Sequence, residues 1–199
     1  MFIEPIDENI KSEWNEFAKK VNGFHEFGKH TAYGRITFNI EPWELVLDTY
    51  MHQFTEERES TPFTRLRAPY ANHDSFICEI YESTFSSEIA KIFGMQDVLM
   101  GDKKFDDKYI IKSSNETRIR SLMKENIART TLFELGKVHL RVGSINRDSF
   151  FAHPHEVNEL YIEVKGIMSN LNQLKLLCQL AVYLLNRLCK HDNVCGKYI

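Results

Sequence analysis

The chain has 199 residues and a formal net charge of −3 at pH 7, and 43% of its residues are hydrophobic. This apolar content excludes a disordered chain, and 9 glycines with 5 prolines exclude a collagen-like or low-complexity one. A chain of this length buries about 70% of its unfolded surface on folding, so it needs no disulfide framework. We predict a single domain over residues 1–199, with a subdivision into 1–99 and 100–199 as the alternative.

The cellular compartment is predicted from the first residues, the apolar runs and the cysteines. Residues 1–8 carry three acids and no basic stretch, which is unlike a secretory signal. The longest near-apolar run, residues 174–188, is interrupted by polar and charged residues and is too short for a membrane span of about 20 residues. Four cysteines are too few for a disulfide framework in a chain of this length. These features predict a cytoplasmic protein without a membrane span.

Hydrophobic periodicity predicts one helix and then a series of strands in the first half. Apolar residues recur at helical spacing over residues 8–22, and Gly23 ends the predicted helix. An aromatic and histidine-rich loop is expected over residues 24–33. Alternation of apolar and polar residues then predicts four strands, at 35–40, 43–48, 63–70 and 75–81. Because consecutive strands usually pair, we predict an antiparallel meander.

The second half alternates between helices and strands. Ser86-Ser87-Glu88 is typical of a helix start and predicts a short helix through about residue 98. A strand is predicted over residues 105–112. A helix follows from about residue 113 to 135, with a break inside it, and Gly136 ends it. Alternation then predicts a hairpin of two more strands, around 138–142 and 160–164.

The last predicted helix, over residues 169–190, is apolar almost all round. A helix of that kind is normally buried on two sides, so it lies either between two layers of one subunit or at a subunit interface. Four positions on its main apolar stripe are the candidate interface residues of a homodimer: Leu177, Ala181, Leu184 and Leu188. Together the elements predict an α+β fold, in which helices cover an antiparallel sheet made of a meander and a later hairpin.

Residues 101–112 read Gly-Asp-x-x-Phe-Asp-x-x-Tyr-Ile-Ile-Lys. This motif resembles the Gly-Asp-x-x-Phe-Asp-x-x-Phe core of a family of uncharacterised bacterial domains, many of which are similar to cytoplasmic modules attached to membrane spans. The order of elements over residues 35–190 is similar as well. The resemblance implies a fold and offers no catalytic residue. From the residues alone, Gly101-Asp102 is typical of a turn, and Phe105 and Tyr109 are expected to anchor a strand to the core.

Basic and aromatic side chains on the predicted strands form the candidate binding site. Arg65 and Arg67 share one strand face, and His139 and Arg141 share another, with Tyr161 on the partner strand. If these faces line one cleft, the four basic residues and Tyr161 make an anion-binding site. If water covers the faces, the same residues are ordinary outward-facing side chains of half-buried strands.

The spacing of other residues bears on acid–base chemistry, metal binding, cofactor binding and nucleic-acid binding. His139 and Glu163 are expected to meet across the later hairpin, either for general acid–base chemistry or as a polar pair on a solvated face. The histidines and cysteines lack the four-ligand spacing of a metal site, so we predict no metal, and a free thiol on the last helix. We predict no cofactor, since the phosphate-loop spacing at residues 23–31 lacks the hydroxyl after its lysine. Residues 101–147 hold 11 basic and 6 acidic residues without a recognition motif, which disfavours nucleic acid as a partner.

The sequence does not name a reaction. We predict a non-enzymatic binding or interaction module that self-associates as a homodimer and has a protein partner of unknown identity. The alternative is a small-molecule or anion-binding protein, including an enzyme without a recognisable motif. An interaction module should expose an apolar patch, whereas a ligand-binding protein should have a pocket with converging polar groups, above all arginines.

Overall fold

The computed structural model describes residues 7–26, 34–53, 60–71, 76–84, 95–144 and 157–189. The helices in these ranges are α1 (Glu8–Lys20), α2 (Lys103–Lys108), α3 (Glu116–Leu122), α4 (Asn126–Leu135) and α5 (Leu171–Cys189). The strands in the same ranges are β1 (Phe24–Glu26), β2 (Arg35–Ile40), β3 (Trp43–Gln53), β4 (Ser60–Ala71), β5 (Cys78–Glu82), β6 (Gln96–Asp97), β7 (Tyr109–Ser113), β8 (Val138–Ser144) and β9 (Val157–Lys165). These strands form one antiparallel sheet in the order β1-β2-β3-β4-β9-β8-β5-β7-β6, which confirms the predicted α+β class.

The predicted meander is only partly correct. Strands β2, β3 and β4 follow one another in the sheet as predicted, but β5 does not pair with β4. Instead the β8–β9 hairpin lies between them, with β9 paired to β4 and β8 paired to β5. The register places Ile162 of β9 directly between Leu66 and Leu140, so inserting the hairpin makes one continuous apolar row. Strands from residues 1–99 and from 100–199 therefore alternate within a single sheet.

One face of the sheet carries the hydrophobic core. Strand alternation places Leu47, Leu66 and Ile162 on this face, and all three side chains are fully buried. The buried residues of the helices belong to the same hydrophobic cluster as this strand face. In α1, for example, the indole N–H of Trp14 donates to the backbone carbonyl of Met168 at 2.9 Å. Polar strand residues consequently collect on the opposite face.

Helix α5 lies at the centre of that core. Its four candidate interface residues are each at most 1% exposed within a single chain. The helix contacts β4, β9, α1, α3 and α4 with its buried residues, and a stripe that includes Lys175, Gln179 and Asn186 is exposed, so it is buried on one face rather than all round. The structure thus places all four residues in the core, where they have no exposed surface to contact a second copy: Leu177, Ala181, Leu184 and Leu188.

The core position of Leu184 gives the first testable prediction. Leu184→Ala should lower the free energy of unfolding by about 2–5 kcal/mol, because it deletes a fully buried leucine side chain and leaves a cavity. Denaturant titration of wild type and variant measures the change. As a matched control, Gln179→Ala alters an exposed position on the same helix and should stay within about 0.5 kcal/mol of wild type. A Leu184→Ala protein as stable as the control would contradict the core assignment.

The predicted strand over residues 105–112 is wrong in its first half, where α2 precedes β7. The side-chain carboxylate of Asp106 accepts hydrogen bonds from the backbone amides of Met100, at 2.7 Å, and Gly101, at 2.9 Å. Asp102 begins the helix by accepting from the amide of Phe105 at 3.3 Å. These acceptors hold one short helical turn in place, which favours helix over strand here.

The aromatic residues of the motif anchor two different elements. Phe105 in α2 is fully buried, and its ring centroid lies 4.9 Å from that of Tyr109 at the start of β7. The Tyr109 hydroxyl donates to the carbonyl of Leu132 in α4 at 2.7 Å. Tyr109 therefore anchors its strand to the core as predicted, whereas Phe105 anchors the helix before it.

The remaining predictions have mixed outcomes. The break in the helix over residues 113–135 is confirmed, since α3 ends at Leu122 and α4 begins at Asn126. Most of the predicted helix near residue 90 lies outside the described residues, and Gln96–Asp97 form a strand. Cys78 and Cys178 are free and buried. Cys178 is therefore a free thiol on the last helix as predicted, whereas Cys189 at the end of the same helix is disulfide-bonded.

Candidate functional site

The face of the sheet opposite the helices carries an unusual number of buried charged side chains. This polar face is built by alternation, since each contributing strand turns every second residue toward it. Burial of a charge costs free energy unless the charge is paired and hydrogen-bonded, so the buried charges on this face are expected to have partners of opposite charge. Six charged residues there are at most 6% exposed: Asp48, Arg67, Glu79, His139, Glu159 and Glu163.

Register aligns five of the polar side chains in a row across adjacent strands. We call this set the charge row, because its members alternate in sign from β2 through β3, β4 and β9 to β8. Directly opposed side chains on neighbouring strands lie close enough to pair, so each charge has opposite charges beside it. In order across the sheet, the charge row is Arg35, Asp48, Arg65, Glu163 and His139.

Asp48 is the fully buried centre of one half of the row. Arg65 donates two bonds to its carboxylate, from Nε at 2.7 Å and from Nη2 at 2.9 Å. Arg67 adds a third bond to the Asp48 Oδ2 atom at 2.9 Å, and Arg35 Nε lies 3.9 Å from the same oxygen. Burial lowers the pKa of Arg65, but its bonds to Asp48 outweigh burial, and the net pKa is raised. Burial has the larger effect on Arg67, whose pKa is lowered.

His139 lies between two carboxylates at the other end of the row. Its Nδ1 is 2.9 Å from Glu163 Oε1, and its Nε2 is 2.7 Å from Glu79 Oε1. An ionised carboxylate only accepts hydrogen bonds, so a carboxylate at each ring nitrogen suits an imidazolium, which donates from both nitrogens. Burial opposes that charge, yet hydrogen bonds and attraction from the two glutamates outweigh it and raise the pKa of His139. The arrangement of the trio therefore favours the protonated form of His139.

Two tyrosines complete the environment of Glu163. The hydroxyls of Tyr50 and Tyr161 both donate to its Oε2 atom, Tyr161 at 2.6 Å. Burial raises the pKa of the Glu163 carboxyl, but the bonds from His139 and the tyrosines outweigh burial, and the net pKa is lowered. Burial and the nearby carboxylate raise the pKa of both phenols, which stay protonated. Both oxygens of Glu163 and both nitrogens of His139 are thus already bonded, and none remains free for a ligand.

The neighbouring row of the polar face has free groups. This second row, named here the Arg67 row, crosses β4, β9, β8 and β5 and consists of Arg67, Tyr161, Arg141 and Glu79. The Arg141 guanidinium lies over the Tyr161 ring, 5.0 Å from its centroid, and has no ion pair with any described residue. Within the described part of the chain, two buried atoms of the row lack a hydrogen-bond partner, Arg67 Nε and Glu79 Oε2. Unbonded buried polar atoms are rare in proteins and often mark the place of a water, an ion or a ligand.

All five sequence-predicted site residues lie on the polar face, on the adjacent strands β4, β9 and β8. The cross-strand contact between His139 and Glu163 is also as predicted, but the face is buried rather than solvated there. Sequence reasoning missed Asp48, Glu79 and Tyr50. The only sequence signal for Glu79 is an acid between two apolar residues of a strand, which is typical of any half-buried strand. The predicted residues that the structure brings together are Arg65, Arg67, His139, Arg141 and Tyr161.

Comparisons with known proteins do not assign this site. No protein-family model matches the chain, and neither the curated proteins nor the solved structures include a significant match. Among the described residues, no group of three or more histidine, cysteine, aspartate or glutamate side chains is arranged to hold a metal ion. None of the described helices has the length and apolarity that crossing a membrane requires. The site must be interpreted from its own geometry.

Proposed function

We propose that the chain is a binding protein for a small organic anion, which it holds on the polar face of the sheet at the Arg67 row. The observation that carries this proposal is the state of Arg141. Its guanidinium is partly buried, is positioned by the Tyr161 ring, and has no acidic partner among the described residues. A partly buried cation without a counter-ion favours an anionic ligand.

The surroundings of Arg141 support the same proposal. Arg67 lies two strands away in the same row, about 10 Å between backbones at the usual strand spacing, and its buried Nε has no partner in the described residues. Asp48, Glu163 and His139 of the charge row are already bonded to side chains of the protein, so these three residues are less suited to hold a ligand. A guanidinium presents planar donors that match a carboxylate or phosphate group.

The binding proposal predicts stabilisation by simple anions. Propionate or phosphate, titrated at constant ionic strength, should raise the melting temperature of the wild type. At 100 times Kd the gain is about 2.7 kcal/mol, which for a chain of this size corresponds to about 5–10 °C. Arg141→Met keeps a long side chain but removes the donors, and should lose most of the shift. Differential scanning fluorimetry measures both.

The matched control is an arginine on the other side of the molecule. Arg120 on α3 is exposed and bonds Glu116 at 2.8 Å through Nε, so Arg120→Met removes the same charge away from the proposed site. This variant should keep the full anion-induced shift. If wild type, Arg141→Met and Arg120→Met respond equally, the anions act on the chain as a whole and the binding proposal is wrong.

Some sequence predictions remain predictions beside this proposal. Self-association as a homodimer, a protein partner, a cytoplasmic location and the resemblance to the bacterial domain family fall in this group. The polar face gives direct support only to the alternative of a small-molecule or anion-binding protein.

A further inference from the structure

We infer that the ligand is a zwitterion, with an ammonium group beside its carboxylate as in an amino acid, and that Glu79 binds the ammonium while Arg141 binds the carboxylate. This inference rests on the proposed function and adds the chemical class of the ligand. Its basis is that Glu79 and Arg141 are direct cross-strand neighbours that do not pair with each other.

The register places Glu79 of β5 directly opposite Arg141 of β8. Side chains at such positions are close enough to form an ion pair. Instead the Arg141 guanidinium lies over the ring of Tyr161, and Glu79 directs its Oε1 to Nε2 of His139 at 2.7 Å. The chain thus holds an anion and a cation side by side without an ion pair between them.

The other neighbour of Glu79 is also engaged elsewhere. Lys112 of β7 lies directly opposite Glu79 on its far side, but the ammonium group of Lys112 is 3.6 Å from Asp97. As a result Glu79 Oε2 is buried and has no hydrogen-bond donor among the described residues, although two cations flank it in the sheet. A buried carboxylate oxygen without a donor costs free energy in the empty protein, and a ligand that donates to it recovers that cost.

The geometry of the two groups selects the ligand class. Directly opposed residues in an antiparallel pair have their backbones about 4.5–5.5 Å apart. A ligand that meets both groups at once therefore has to be small and to carry opposite charges close together. An α-amino acid has this arrangement, whereas a simple carboxylate leaves Glu79 Oε2 unbonded and adds a second anion near it. The site should prefer the amino acid for both reasons.

The test compares L-alanine with propionate, which has the same carbon skeleton and carboxylate but no ammonium group. Isothermal titration calorimetry of the wild type should give an affinity for L-alanine at least tenfold higher than for propionate. In Glu79→Gln, which keeps the side-chain shape and removes the charge, the ratio of the two affinities should fall towards one. The ratio is the readout, because a general loosening of the site weakens both ligands alike.

Glu163→Gln is the matched control for this comparison. It removes the other carboxylate that bonds His139, but both oxygens of Glu163 are already bonded inside the protein. Its preference for L-alanine should therefore remain. Equal wild-type affinities for the two ligands would overturn the inference and leave the anion-binding proposal intact. Failure of both ligands to bind the wild type would overturn the two proposals together.

Discussion

Asp48→Ala is expected to lower the free energy of unfolding by about 3–5 kcal/mol, the usual cost of removing one partner from a buried ion pair. Asp48 is fully buried and bonds both Arg65 and Arg67, so its loss leaves two arginines on the polar face without their counter-ion. For a chain of this size the change lowers the melting temperature by about 6–20 °C. Thermal and denaturant unfolding followed by circular dichroism measure it.

Two further variants serve as the intermediate case and the surface control for this measurement. Asp48→Asn keeps the shape and one acceptor oxygen, so it should fall between wild type and Asp48→Ala. Glu116→Ala removes an exposed acid on α3 that pairs with Arg120, and should change stability by less than about 0.5 kcal/mol. If Asp48→Ala is no more destabilising than Glu116→Ala, the charge row does not stabilise the fold.

The second large effect is a loss of stability as the pH rises above about 6.5, which depends on His139. Its pKa in the folded protein is raised above the ordinary value of 6.5. Its contribution to stability is therefore complete below about pH 6.5 and is lost as the pH rises through the folded-state pKa. In that window the free energy of unfolding should fall by up to about 1.4 kcal/mol per pH unit. Denaturant titrations at closely spaced pH values measure the slope.

Stability also falls at acid pH, where the dependence on pH has the opposite sign and comes from Glu163. The pKa of Glu163 is lowered from its ordinary value of 4.5, so its contribution is present above about pH 4.5 and is lost as the pH falls through the folded-state pKa. Stability from this pair should therefore be greatest between about pH 4.5 and 6.5. His139→Gln should remove the loss of stability above about pH 6.5, since glutamine does not titrate. An identical slope above that pH in this variant would show that another group causes it.

Several elements could be predicted because their signals are local. The helical spacing in α1 and α5 and the alternation in β2, β4 and β8 each depend on residues within one element. The predicted boundary between α2 and β7 is wrong because its signal lies outside the element. It depends on hydrogen bonds that the amides of residues 100 and 101 donate to Asp106. A side chain that fixes the preceding turn leaves no trace in the alternation pattern.

Only the basic and aromatic part of the site could be predicted from the sequence. The basic and aromatic residues on β4, β8 and β9 share a face by alternation, which the sequence shows directly. Glu79 belongs to β5, and its place beside these residues depends on the order of strands in the sheet. That order places the β8–β9 hairpin between β4 and β5, a long-range choice that the preference for pairing consecutive strands predicts wrongly. The contact between His139 and Glu79 follows from that choice.

The insertion of β9 between β4 and β8 also bears on how the chain folds. Asp48 and Arg65 can pair within the early β3–β4 hairpin, but Glu163 reaches Arg65 only after about 100 intervening residues have been synthesised and β9 has docked. Until then the edge of β4 that faces away from β3 is unpaired, and Arg65 has no strand on that side. Such non-local pairing slows folding, because the entropy of closing a long loop must be lost before the contacts form. We therefore expect the polar face to be completed after the β3–β4 hairpin has formed.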